Sequence, residues 1–324
     1  MAENVNINFE KLQFQKPQVN LARPTAARMW LISLCAFLAV IQSSLGDYFS
    51  SLILAVCVVA AAVLTEFFFL YFKSGKASAL KDGSAVASAL ILTLLLPNHI
   101  SPFFAVAGAI FGMAVVKHSF GGLGSNWLNP AAGGWLFIRF SWPASFTDTL
   151  EASPLSFLAE RFTGAASNHA NDYSGGIIDF LASSFPGIIA DRGGLALLVG
   201  TVIIMASRIN RFWIPLVYLA VFGVLVRLAA SLPGGGELWT GDVLFAISSG
   251  GTLAAAFFLS GDPVTGAKSN GGILLATVAA GALAFFFRFY GAEPHGAFFA
   301  VVFVNAMLPL VRVFERHRLY ERYS

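Results

Sequence analysis

Three polar side chains stand inside otherwise apolar stretches, where their chemistry would matter most. Glu66 lies within the apolar run 49–72, roughly two helical turns before Lys73. An ionisable group at membrane depth is costly unless paired or hydrated, which makes Glu66 a candidate for an ion path. Its ordinary alternative is to reach the cytoplasmic interface, or to pair with Lys73 or Arg28. Asn129-Pro130 and Asp262-Pro263 occupy matching places near the cytoplasmic side of each half of the chain. Proline in or near a helix frees a carbonyl. Freed carbonyls with the Asn129 or the Asp262 oxygens can coordinate Na⁺ or hydrate a proton path. A purely structural helix break is the other reading. Arg139 and Arg288, near helix ends, are expected to snorkel, and Lys81-Asp82 to form a local ion pair. Gly121, Gly122 and Gly124 follow no strand and so make no dinucleotide fingerprint. They suit a tight loop. His118, His169 and His295 are isolated, Cys35 and Cys57 sit in apolar runs, and no metal-ligand spacing connects them.

The elements that must hold these residues are membrane helices. Of 324 residues, 57% are hydrophobic and 11% charged, against about 25% charged in soluble domains. That leaves too little polar surface to cover a water-soluble globule, and a mean hydropathy of +0.73 agrees. The first residues carry Lys11, Lys16 and Arg23 and do not read as a cleavable signal peptide. Apolar segments near 27–45, 49–72, 83–97, 102–117, 128–142, 194–207, 212–230, 243–260, 271–290 and 296–314 predict about ten transmembrane helices. The third, fifth and sixth are short and rich in Gly, Ala or Ser, as helices packed inside a bundle or broken ones would be. With the N-terminus inside, 15 of the 20 Lys and Arg residues fall on the cytoplasmic side, Lys117 among them. This bias predicts cytoplasmic termini in the inner membrane.

A weak internal repeat runs through the chain. Asp82-Gly83-Ser84 opens an apolar run ending at Pro97, followed by Phe120-Gly121-Gly122 and Asn129-Pro130. Later, Ser249-Gly250-Gly251 opens a run ending at Asp262-Pro263, followed by Tyr290-Gly291 and a segment carrying Asn305. Five helices on each side of an outer loop make two inverted repeats, which place sites near the midplane where the repeats meet. The expected organisation is a cytoplasmic segment 1–26, a first five-helix repeat 27–142, an outer loop 143–193, a second repeat 194–314 and a cytoplasmic tail 315–324.

Leu80-Lys81-Asp82-Gly83-Ser84-Ala85, Phe120-Gly121-Gly122-Leu123-Gly124 with Asn126 and Leu128-Asn129-Pro130-Ala131, Ala152-Ser153-Pro154-Leu155, Trp213-Ile214-Pro215 and Ser260-Gly261-Asp262-Pro263-Val264-Thr265 occur in this order. In order and spacing they resemble the D subunit of the Rnf ion-translocating electron-transport complex. That protein is related to the B subunit of the sodium-pumping NADH:quinone oxidoreductase. The resemblance spans about residues 20 to 315. It implies an all-α fold akin to urea and ammonium channels, and an FMN joined by a phosphoester to a hydroxyl on the outer side. A flavin transferase would attach it. The acceptor of the family, a Thr, aligns with Ser153 in Thr147-Asp148-Thr149-Leu150-Glu151-Ala152-Ser153-Pro154-Leu155. Here the expected Asp is displaced by one residue, and Leu150 replaces a hydroxyl residue. Ser153 is therefore the flavin candidate, with helix capping before Pro154 as its bland alternative. Asp262-Pro263-Val264-Thr265 mimics the signature but faces the cytoplasm, and Phe162-Thr163-Gly164-Ala165 lacks the final acceptor. With a flavin nearby, Glu66 could shape its environment, and Arg139 or Arg288 could balance its charge.

Three functional classes follow. One is a flavoprotein subunit of an Rnf-type complex, coupling ferredoxin/NAD electron transfer to H⁺ or Na⁺ movement with other membrane and redox subunits, surrounded by membrane lipid. Another is a solute or ion channel on the same scaffold. The third is a flavin-less assembly subunit. The chain is expected to be inactive alone and to bind no nucleic acid.

Overall fold

The computed structural model describes residues 25–45, 49–74, 81–122, 124, 126–146, 187–207, 211, 213–230, 232, 237–239, 241, 243–262, 266, 269–291 and 293–323. These residues are helical, apart from connections and one antiparallel bridge between Pro97 and Ile188. The stretch 147–186, which contains Ser153, lies outside the described residues.

The long apolar runs become α1 (Thr25–Leu45) and α2 (Ser50–Ser74), and shorter ones α3 (Ser84–Leu94) and α4 (Pro102–Phe111). α4 continues as a π-helical stretch, Gly112–His118, and α5 (Pro130–Ser141) follows. Helix starts carry their sequence signals. Pro102 opens α4, and Pro130 opens α5 behind Asn129, whose side chain accepts from the Ala131 and Ala132 amides. The later half contains α6 (Ile189–Arg192), α7 (Gly194–Ala206), α8 (Trp213–Ala229), α9 (Val243–Ser248) and α10 (Thr252–Ala254) with its π-helical extension Ala255–Leu259. It ends with α11 (Asn270–Phe285), its π-helical extension Phe286–Tyr290, and α12 (Gly296–Tyr323).

By length and composition, Ala26–Leu45, Ser50–Phe72 and Asn270–Tyr290 can each cross a membrane. Their outer faces are apolar and uncovered, with Ile53, Val56, Leu64, Phe68 and Leu275 exposed, as lipid contact requires. α3 has 11 residues and rises about 16 Å, roughly half of a ~30 Å hydrocarbon core. It is packed between α1 and α2 and buried along nearly its whole length. α2 also packs on α4, and α4 on α5. In the later half α11 lies between α8 and α12, and α1 packs on α7 to join the two halves. Small residues allow the closest crossings: a Cβ on Gly134 would meet the Gly108 carbonyl at 2.6 Å.

One expected helix is broken. The segment 243–260 is interrupted at Ser249–Gly251, where Gly250 has φ 62° and Gly251 φ 70°. A side chain at Gly251 would strike the Phe298 ring. Both the left-handed backbone and the lack of space demand glycine there.

Candidate functional site

The first polar centre gathers where α2, α3 and the end of the α4 π-helical stretch meet. Gly83, in left-handed conformation at φ 72°, turns the chain into α3. Asp82 Oδ1 accepts from the Ser84 amide at 2.8 Å and from the Ser84 hydroxyl at 2.7 Å. Asp82 thus caps α3 instead of forming the local pair with Lys81 that the sequence suggests. Lys117 donates to Ser84 Oγ at 2.6 Å and makes a very close ion pair with Glu66 Oε1. Glu66 is 3% exposed and Lys117 1%, so both charges are removed from solvent and the pair is what makes their burial tolerable. His118 Nε2 lies 3.8 Å from Glu66 Oε1, with its ring stacked on Phe69.

Two expectations change here. Glu66 is paired with Lys117, 51 residues away, where the sequence suggests Lys73 or Arg28. Lys117, counted as a flanking cytoplasmic charge, is inside the protein. Its π-helical setting explains the difference. The wider turn shifts the end of the helix around its axis and aims position 117 at α2.

Asn129 and Asp262 come together, a contact that their positions along the chain do not announce. Asn129 Nδ2 donates to Asp262 Oδ2 at 2.9 Å across 133 residues of sequence, while Asn129 Oδ1 serves the α5 amides. These residues and Lys117 share one cavity of about 50 Å³, lined also by Ser84, Ser88 and Asn126. Apolar side chains from α1, α3 and the α10 extension line the rest of it. Asn126 is 5% exposed and its Oδ1 has no hydrogen-bond partner among the described residues.

The second polar centre is built on Asp191 and Arg288. Asp191 accepts from the Gly250 amide at 3.0 Å and the Gly251 amide at 2.8 Å. Arg288, fully buried, donates to the Ala246 and Ser249 carbonyls and to the Thr252 and Ser249 hydroxyls, at 2.6–2.9 Å. Expected to snorkel, Arg288 instead stays inside because the broken helix offers it a ring of acceptors. The Phe222 and Phe289 rings flank it. Arg139 likewise pairs with Glu293 at 3.0 Å rather than simply reaching for water. Glu293, in the connection before α12, would be raised by burial. The His295 contact and the Arg139 charge outweigh this and hold its carboxyl below the ordinary range.

Sequence reasoning named Glu66, Asn129 and Asp262 as candidates but missed Asp191, and it gave Lys117 and Asn126 no role in a site. A lysine within the apolar stretch Met113-Ala114-Val115-Val116-Lys117 was the available signal for one of them. Asp191 carries none, since its partners lie on a turn 59 and 60 residues later.

A family model described as NQR2, RnfD, RnfE matches residues 13–321. The D subunit of the Na(+)-translocating ferredoxin:NAD(+) oxidoreductase complex of Acetobacterium woodii is 27% identical, covering 94% of this chain and 93% of the relative. The D subunit of the proton-translocating ferredoxin:NAD(+) oxidoreductase complex of Clostridium ljungdahlii is also 27% identical, covering 92% of each. Its counterpart in the ion-translocating oxidoreductase complex of Stutzerimonas stutzeri is 31% identical over 81% of this chain and 82% of its own length.

Proposed function

The chain belongs to the NQR2, RnfD, RnfE family, and on that premise we propose that it is the D-type membrane subunit of an Rnf-type complex, coupling electron transfer between ferredoxin and NAD to ion movement. It works with the other membrane and redox subunits of the complex and not alone. The observation that carries this reading is the hydrogen bond between Asn129 and Asp262. It brings two candidate ion-path residues from distant parts of the chain onto one cavity with Lys117, the partner of Glu66.

The fold proposed for it is ten membrane helices in two inverted five-helix repeats. α1 to α5 form the first repeat; α7, α8, the broken α9–α10, α11 and α12 form the second. Two parallels support the pairing. A left-handed glycine opens both α3 and α10, Gly83 and Gly251. A π-helical stretch with a buried cation follows both α4 and α11, bearing Lys117 and Arg288. On the charge-based topology both termini are cytoplasmic in the inner membrane, and the cavity lies toward the cytoplasmic end.

FMN, attached at Ser153 by a flavin transferase on the outer side, supplies the redox chemistry when bound. A serine hydroxyl is chemically sufficient for the phosphoester. Pull-down of the complex through a tag on this chain, with in-gel flavin fluorescence and intact mass, tests the assignment. Wild type should co-purify with redox subunits and carry one FMN mass, lost in Ser153→Ala and kept in Ser153→Thr. Co-purification without covalent flavin would make it an assembly subunit. Neither flavin nor redox partners would make it a channel.

A further inference from the structure

The cavity between the two halves has walls of mixed character. Donors reach it from Lys117 and Asn129, while acceptors come from Asn126, whose buried Oδ1 lacks a partner among the described residues, and from Asp262. An ammonium carries three N–H donors. The Ser84 hydroxyl and Glu66 carboxylate take two of those on Lys117. About 50 Å³ holds a few waters, and a water needs two to four polar partners of both kinds. Donors and acceptors facing the same small space suit water, whereas a bare metal cation wants oxygens only. Lysine, unlike arginine, can also give up its proton inside a protein.

We propose that Lys117 is a proton shuttle, linking Glu66 in the first half to Asp262 in the second through water held by Asn126. The ion passing this cavity is then H⁺ and not Na⁺. In the forward step Lys117 Nζ releases a proton to the cavity water, which passes one of its own to the Asp262 carboxylate. The neutral amine then takes the proton of a protonated Glu66, restoring ammonium and carboxylate. Protons alone move, and no redox change occurs. His118, 3.8 Å from Glu66, is the group through which Glu66 is refilled. The other charges facing the pair are the carboxylates of Asp82, which also bears on Glu66, and Asp262. The relay presupposes an ion-moving complex of the kind proposed above.

The test uses the complete purified complex in liposomes, driven by reduced ferredoxin and NAD, with a trapped pH dye and ²²Na⁺ uptake read in parallel. Wild type should move protons at the same rate without Na⁺. Lys117→Arg, which keeps the buried charge and its hydrogen bonds but cannot deprotonate, should assemble normally and lose at least ten-fold in proton movement. Asn126→Leu, which leaves the Glu66–Lys117 pair intact and dries the cavity, should lose as much. Proton movement above half the wild-type rate in Lys117→Arg would make Lys117 a fixed structural partner and overturn the shuttle, as would the same result in Asn126→Leu. ²²Na⁺ uptake that persists with a protonophore would also overturn it. A wild-type complex that transfers electrons but moves neither ion would fell the pump reading itself, and the relay with it.

Discussion

The two buried cations, Lys117 and Arg288, occupy similar surroundings and are put to different use. Each lies in a π-helical stretch continuing a longer helix, and each faces a short helix opened by a left-handed glycine and capped by a carboxylate: Asp82 for α3, Asp191 for α10. Arg288 fixes a fork of donors onto the Ala246–Thr252 turn, an arrangement an always-charged planar group holds well. Lys117 holds one carboxylate and one hydroxyl and borders a cavity of mixed lining. One centre locks a broken helix. The other leaves room for water and a proton. Similar backbone frames thus carry arginine where a broken helix needs a fork of donors and lysine where a cavity lies alongside.

The largest effect is expected at Lys117. Lys117→Met leaves Glu66 buried and unpaired, and removing one partner of a buried pair costs about 3–5 kcal/mol. The complex should lose its heat resistance in detergent, and adding Glu66→Gln should restore most of it. If the double variant is as fragile as the single one, the pair is not what holds this corner. Arg288→Lys keeps the charge and gives up the fork. With several charge-assisted bonds lost or bent, it should cost about 2–4 kcal/mol, read as earlier loss of the folded complex on heating. Wild-type stability in Arg288→Lys would mean that charge alone, and not the fork, supports the helix break.

Glycine substitutions sharpen the same contrast. Gly251→Ala forces a left-handed alanine, about 1–2 kcal/mol, and drives its Cβ into Phe298. At Gly83 the new Cβ meets Trp30 at 2.9 Å, on a side chain facing outward and able to give way. Gly251→Ala should therefore be the more damaging, by thermal shift of the purified complex. Equal shifts would show that backbone strain alone sets the cost. Smallest is Asn129→Ala, which removes a helix cap worth about 1 kcal/mol along with its bond to Asp262. Asn129→Ser should recover the cap stability but not ion movement. Full ion movement in Asn129→Ser would separate the Asp262 contact from transport.

Much of the helical layout was legible from residue order. The extents of α1, α2 and α8, and of α4 and α11 taken with their π-helical extensions, follow from apolar runs, because local hydropathy and capping act within a few residues. The break inside 243–260 was hidden. Its apolar composition reads as one helix, and the acceptors that trap Arg288 exist only once the chain has turned.

Residue order was enough to mark a membrane-class helical chain and to single out Asn129-Pro130 and Asp262-Pro263 as polar breaks in apolar runs, since composition and motif order need no third dimension. Only the tertiary structure decided the partners of its charges. Glu66 meets Lys117 and Asp191 meets the Gly250–Gly251 turn because helix packing brings together groups 51 to 60 residues apart. A buried charge settles on whichever partner that packing supplies, and not on the nearest one along the chain.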